Sequence, residues 1–205
     1  VLVVSEILEN YIRKEYPGYR INSSTCKEIK DPDQLIRELE KEYNLVVLDY
    51  NLNNRFEILE KIERKDKCEL LVNALCIPEC PRRGDHYKNI ARNERIILGN
   101  RSNPQNRQIP VIPWKCEYGD RNHIYSIQNY CTFISPDAIW ERYVPMGFTE
   151  FKIEGRTANL FSLIETYSFY LAKPESAGEV RLKLLTNLEN SRVITVHKPR
   201  PGKWP

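Results

Sequence analysis

Repeated βα units on a parallel sheet are what this sequence predicts, and three observations predict them. Short aliphatic runs alternate with amphipathic segments at spacings of about 25 residues. Runs such as Leu45-Val46-Val47-Leu48 are apolar at consecutive positions, the mark of strands buried on both faces. No Gly-rich phosphate loop follows any run, which argues against Rossmann and P-loop sheets. The expected class is therefore α/β with parallel strands, and one of the two architectures left open is the C-terminal part of a TIM-like (βα)8 barrel. An open doubly wound sheet is the competing architecture.

Residues 1–4 read as a strand, and Ser5 as the N-cap of a helix with Ile7, Leu8, Tyr11 and Ile12 on one stripe. Pro17-Gly18 ends that helix, and 19–23 is the next strand. Asp31-Pro32-Asp33-Gln34 supplies a cap, a first-position proline and a capping-box glutamine, with Leu35, Ile36 and Leu39 as the buried face. Strand 45–48 ends at Asp49, and a helix over 53–62 carries Phe56, Leu59 and Ile62. Residues 69–75 form another buried strand, and 85–94 a short helix. Residues 97–117 lack apolar periodicity, as functional or disordered segments do. Ser135-Pro136-Asp137 caps a helix over 138–144, followed by a strand at 148–154 and an amphipathic helix at 158–172. The expected organisation is a partial βα-barrel domain at 1–175, then a C-terminal extension at 176–205 with a basic, proline-rich tail.

The 205 residues carry 31 Lys+Arg against 28 Asp+Glu, a net +3. A balance that mild neither demands nor excludes nucleic acid, although dedicated phosphate-binding domains are usually more basic. No apolar run has the roughly 18 residues of a membrane span, and no signal peptide opens the chain. Six cysteines are too few for a disulfide scaffold, so a reducing, cytoplasmic setting is expected, where clustered thiols hold metal or do chemistry. The chain opens at Val1 inside a strand-like run. An N-terminal part of the barrel, or a partner chain, is accordingly expected to complete it.

The sharpest local feature is Cys76-Ile-Pro-Glu-Cys80-Pro-Arg-Arg-Gly-Asp-His86, directly after the strand at 69–75. In a parallel βα fold that is the sheet's C-terminal edge, where ligand and catalytic groups collect. Cys76 and Cys80 on a proline-stiffened turn can grip one metal, with Cys116 and Cys131 as further thiolates. Both a [4Fe-4S] cluster and structural zinc accept four sulfurs, and the spacing does not choose between them. The bland alternative is unrelated, half-buried thiols acting as small apolar groups. Cys26 and Cys68 read as ordinary strand-end or core residues.

The second feature is Phe151-Lys-Ile-Glu-Gly-Arg156. Alternation puts Lys152 and Glu154 on one side of the strand, as an internal ion pair or part of a site. Arg156 is expected to project from the edge. Asp49 ends a strand at that same edge and is either a turn former or a catalytic carboxylate. His86 beside Asp85 suggests an acid/base pair, although adjacent helical residues face apart. Arg82-Arg83 and Arg101/Arg107 could bind phosphate, but such runs are usually solvated.

Together these motifs resemble the U-32 peptidase family of collagenase-like proteins. The resemblance lies in Asn73-Ala-Leu-Cys76 with Cys80, then Cys116 in third place, then Cys131 through Phe151-Lys-Ile-Glu-Gly-Arg156, and it covers about 1–175. It implies a TIM-like barrel and, in several branches, an iron–sulfur cluster on four cysteines. Those branches look like oxygen-independent hydroxylases of RNA bases or of a quinone precursor, with prephenate as oxygen donor. The expectation is a cluster on Cys76, Cys80, Cys116 and Cys131, with Lys152, Arg156 and Arg82 binding an anionic substrate and Glu154, His86 and Asp49 as catalytic groups. RNA is a second candidate partner. The alternatives are a collagenase-like hydrolase in which Glu154 or His86 activates water, and a non-enzymatic, zinc-stabilised binding module.

Overall fold

The computed structural model describes residues 1–117, 123–155 and 160–195; Arg156 lies outside them. Two compact units divide the chain, Val1–Glu154 and Gly155–Pro205. The first holds a five-stranded sheet in the order β1-β2-β3-β4-β5, every neighbouring pair parallel. The fold is α/β with repeated βα units. A doubly wound sheet reverses strand order at a switch point, and this sheet does not; its order is that of a barrel wall.

The strands are shorter than their apolar runs: β1 Leu2–Val3, β2 Asn22–Ser23, β3 Leu45–Val47, β4 Cys68–Leu71 and β5 Glu150–Lys152. Helix α1 (Glu6–Glu15) starts on Ser5, whose hydroxyl accepts the Leu8 N–H at 3.5 Å. Of its expected stripe only Ile12 is buried; Ile7 is 84% exposed, because α1 flanks the sheet's β1 edge. Helix α2 (Pro32–Glu40) is capped by Asp31, which accepts the Gln34 N–H at 2.9 Å. Leu35 and Leu39 face the core, while Ile36 turns outward. The expected helix at 53–62 shrinks to a short α3, Phe56–Leu59, preceded by a 3-10 turn, Tyr50–Leu52. Val46, Val47, Leu48, Leu70 and Val72 form the sheet's share of the core, with Leu35, Leu39 and Leu59 packed over it.

A buried polar network sits where β2, α1 and α2 meet. Glu38 accepts from Ser23 Oγ and Lys27 Nζ, each at 2.6 Å, and pairs with Lys41 at 2.8 Å. Burial alone would push Glu38 up, but these bonds outweigh it and hold its pKa down at about 2. Tyr43 donates to Glu9 and accepts from Lys27 at 2.8 Å.

Asn53 and Asn54 fasten the later segment 131–134 to the sheet edge. Asn53 Nδ2 donates to the Leu71 and Thr132 carbonyls, and Asn54 Nδ2 to those of Cys131 and Phe133. Asn54 does this from a left-handed backbone, φ 59°, a region asparagine tolerates better than most residues. The helix expected over 138–144 is α6 (Pro136–Ala138) running into a π-turn, Ile139–Tyr143. That turn carries Tyr143, fully buried, onto Asn54, with Phe56 and Phe148 against its ring. A short α5, Ile124–Ile127, precedes it.

The segment between β4 and β5 departs most from expectation. Helix α4 spans Arg83–Ser102, not 85–94; a turn at 103–106 follows it, and residues 107–116, without regular secondary structure, are bonded back to it at Ile109 and Ile112. The second unit contains α7 (Leu160–Leu171) and α8 (Ala177–Asn190), joined by an Arg181–Glu165 ion pair at 2.6 Å. No helix among the described residues is long and apolar enough to cross a membrane.

Candidate functional site

Parallel strands deliver all their exits to one edge, and the exits of β4 and β5 are locked together there. The Asn73 side chain donates to the Glu154 carbonyl at 2.9 Å and accepts the Glu154 N–H at 2.6 Å. Asn73 is wholly buried, so both bonds are made away from solvent. Glu154 Oε2 then accepts the Leu75 N–H at 3.1 Å. Burial raises the Glu154 pKa; the Leu75 bond and the charges of Arg83 and Lys152 oppose it without cancelling it. As a residue, Glu154 still keeps exposed surface at the rim.

Three thiols converge beside that rim. Cys76, Cys80 and Cys116 line one small pocket, walled by Arg82, His86 and Trp114. Cys76 packs against the buried cluster of Tyr50, Leu71 and Ala74. Burial pushes its thiol up to about 11, a hydrogen bond from Tyr50 works the other way, and the neighbouring Cys80 thiol adds to the rise. The turn is held by Tyr50 Oη donating to the Ile77 carbonyl at 3.4 Å and by the Glu79 N–H donating to Asn51 Oδ1 at 2.8 Å. Cys131 is exposed, does not line the pocket, and gives its carbonyl to Asn54. Three of the four anticipated sulfurs thus share a site of thiophilic character. Among the described residues no three Cys, His, Asp or Glu side chains are gathered into a ready ligand sphere.

The other expected residues fall around this pocket in roles of their own. Asp49 is fully buried; it caps the 3-10 turn through the Asn51 N–H and takes Arg83 Nη1 at 2.5 Å. Arg83, expected to be solvated, is 3% exposed. Its Nη2 donates to the carbonyl and hydroxyl of Thr25, its Nε donates to Tyr87 Oη, and its guanidinium lies 4.1 Å from the Tyr50 ring centre. One cation therefore ties the exits of β2, β3 and β4.

His86 does not pair with Asp85, which faces Lys88 at 3.4 Å. The imidazole stacks on Trp114, centroids 5.0 Å apart and planes within 5°, and burial lowers its pKa. Arg82 lies over the same indole at 4.5 Å and donates to the Lys115 carbonyl at 3.2 Å. Lys152 does not pair with Glu154. Its Nζ sits 3.7 Å from Glu69 on β4, the diagonal neighbour across the strand pair, since Lys152 itself is in register with Leu71 and Glu69 with Glu150. Tyr50 and Tyr87 carried no signal in sequence, and Asn73 stood out only as part of the Asn73-Ala-Leu-Cys76 string. Arg83 was visible only as one of a basic pair.

The fold and site together define a parallel α/β repeat protein with a three-thiol pocket and a rim carboxyl at the sheet's C-terminal edge. No family model and no solved structure matches the chain. A stretch of 72 residues, 34% of this chain, is 32% identical to a Methanocaldococcus jannaschii protein named an uncharacterized protease. The match takes in 22% of that protein's length.

Proposed function

We propose that this chain is part of a U-32 peptidase-like βα-barrel protein whose thiols hold an iron–sulfur cluster used in an oxygen-independent hydroxylation. The observation that carries this reading is the convergence of Cys76, Cys80 and Cys116 on one pocket at the C-terminal edge, beside Glu154. Cys131 is the fourth ligand in this proposal, and zinc is the alternative occupant. A cluster bound there would supply electrons one at a time. The chain's own groups do the rest: Arg82 and Lys152 attract an anionic substrate, of which prephenate and RNA are the candidates, and Glu154 exchanges a proton at the rim.

A hydrolase is the second reading. The name of the archaeal relative, a protease, favours it, and so does a rim carboxyl whose raised pKa suits it to accept and return a proton.

Anaerobic expression, metal analysis and an absorption spectrum separate these readings. The proposal expects bound iron with a broad visible band, lost when Cys76, Cys80 or Cys116 becomes serine and kept in Cys68→Ser. Colourless protein carrying stoichiometric zinc moves the thiols to a structural role. Protein that retains neither metal overturns the metal centre and leaves the hydrolase.

A further inference from the structure

Cys116 reaches the thiol pocket on a chain segment with almost no apolar anchorage. Residues 101–111 are exposed throughout, and between there and Cys116 only Ile112 and Trp114 are half-buried. What holds this strap is a set of side chains on α4. Asn100 Nδ2 donates to the Ile109 carbonyl at 2.8 Å, and the Ile109 N–H donates to Asn100 Oδ1 at 2.9 Å. Asn93 repeats the arrangement on Ile112, with both bonds at 2.8 Å, and Asn89 adds a bond to the Ile112 carbonyl at 3.3 Å. His86 forms the next rung by stacking on Trp114, and Arg82 grips the Lys115 carbonyl.

The rungs at 86, 93 and 100 recur every seven residues, two helical turns, so they share one face of α4. Seven helical residues rise about 10.5 Å. Three extended residues, the step from Ile109 to Ile112, cover about 10 Å. Helix and strap therefore stay in register between the two asparagine rungs as they run antiparallel, and the Asn93 and Asn100 amides each meet one backbone N–H and C=O of the strap.

We infer that Asn93 and Asn100 are positioning residues which set the strap's register and so deliver Cys116 to Cys76 and Cys80. Asparagine is suited to the task because its amide offers one donor and one acceptor side by side, matching one backbone N–H and C=O. Neither residue belongs to the hydrophobic core, so replacing them leaves the sheet and the helix intact. The importance of Cys116 as a ligand rests on the reading of the thiol pocket given above; the clamp itself is a statement about geometry.

The test keeps the two apart. Dibromobimane, which fluoresces when it bridges two neighbouring thiols, is applied to the metal-free chain, and bridged peptides are identified by mass spectrometry. Wild type is expected to give bridges joining Cys116 to Cys80 or Cys76. In Asn93→Ala/Asn100→Ala that yield is expected to fall roughly tenfold, while the Cys76–Cys80 bridge is unchanged. Asn93→Asp/Asn100→Asp adds a readout that merely structural damage would not give. Protonated aspartic acid offers the same donor and acceptor, whereas the carboxylate repels the strap carbonyl. The carboxylate still accepts the Ile109 and Ile112 N–H but loses the bond to each strap carbonyl, so protection of those amides against hydrogen exchange, relative to wild type, is expected to be greater at acid than at neutral pH. Equal Cys116 bridging in wild type and the double alanine variant overturns the inference, as does wild type without such a bridge. Bridging as expected in protein that never binds iron or zinc upholds the clamp and removes only the metal reading.

Discussion

Arg83 and Asp49 form an ion pair at 2.5 Å with 3% and 0% of their side-chain surfaces exposed, at the point where three strand exits meet. The pair is costly to desolvate, and its remaining valences are filled by Thr25, Tyr87 and Asn51. Arg83→Met strands the Asp49 carboxylate and is expected to cost about 3–5 kcal/mol in urea unfolding. Arg83→Met/Asp49→Leu should recover much of that loss. Equal destabilisation in the single and double variants would mean that the arginine acts through packing on Tyr50 instead.

Glu154 is expected to become a liability as pH rises. Its folded pKa lies above the ordinary value of 4.5, so its contribution to stability is fully present below 4.5 and is lost as pH climbs through the folded value. Glu154→Gln should therefore match wild type near pH 4 and melt higher at pH 7. A variant less stable than wild type at both pH values would show that the bond to Leu75 outweighs desolvation.

The sign is opposite at Glu38. Its pKa falls from 4.5 unfolded to about 2 folded, so the stabilisation is complete above 4.5 and is lost as pH falls toward 2. The span corresponds to about 3 kcal/mol. Lys27→Met should lower stability at pH 7 and flatten the acid limb of a stability-against-pH curve. A limb as steep as wild type's would assign acid sensitivity to other carboxylates.

Alkylation by iodoacetamide should follow a fixed order. Cys116 and Cys131 are exposed and should react first in metal-free protein. Cys76, with its thiol pushed to about 11, should lag them, and Cys68, buried and pushed to about 12, should react only on unfolding. Peptide mapping over a time course reads the order directly. Early modification of Cys68 would contradict the burial of β4.

The parallel βα alternation was legible because consecutive aliphatic residues and helix caps are local signals. Asp31-Pro32 and Ser135-Pro136 mark helix starts with nothing but their neighbours. Cys76 and Cys80 stood out by their place directly after a strand, whereas Cys116 offered only a further thiol in the sequence; that it lines the same pocket is information from the structure. Partner choice was not legible. Whether Lys152 meets Glu154 or Glu69 depends on which strand lies alongside, and no property of the string 151–156 contains that. The strap's anchorage was not legible for a related reason. Residues 97–117 lack apolar periodicity because their anchors are asparagine amides, which leave no hydrophobic pattern.

The long excursion between β4 and β5 also sets an order of assembly. Val46 pairs with Cys68, 22 residues on, as Asn22 bonds Asn44 across 22, whereas Asn73 and Glu154 meet across 81. Closing the longer loop costs about 1 kcal/mol more in chain entropy, and contacts so far apart form slowly. The first four strands can zip together from near-neighbour encounters while β5 waits for α4, the strap and the π-turn to find their seats. The rim carboxyl at the end of β5 is thus the last part of the edge to arrive, and during synthesis the thiol-bearing turn emerges well before the strand that will face it.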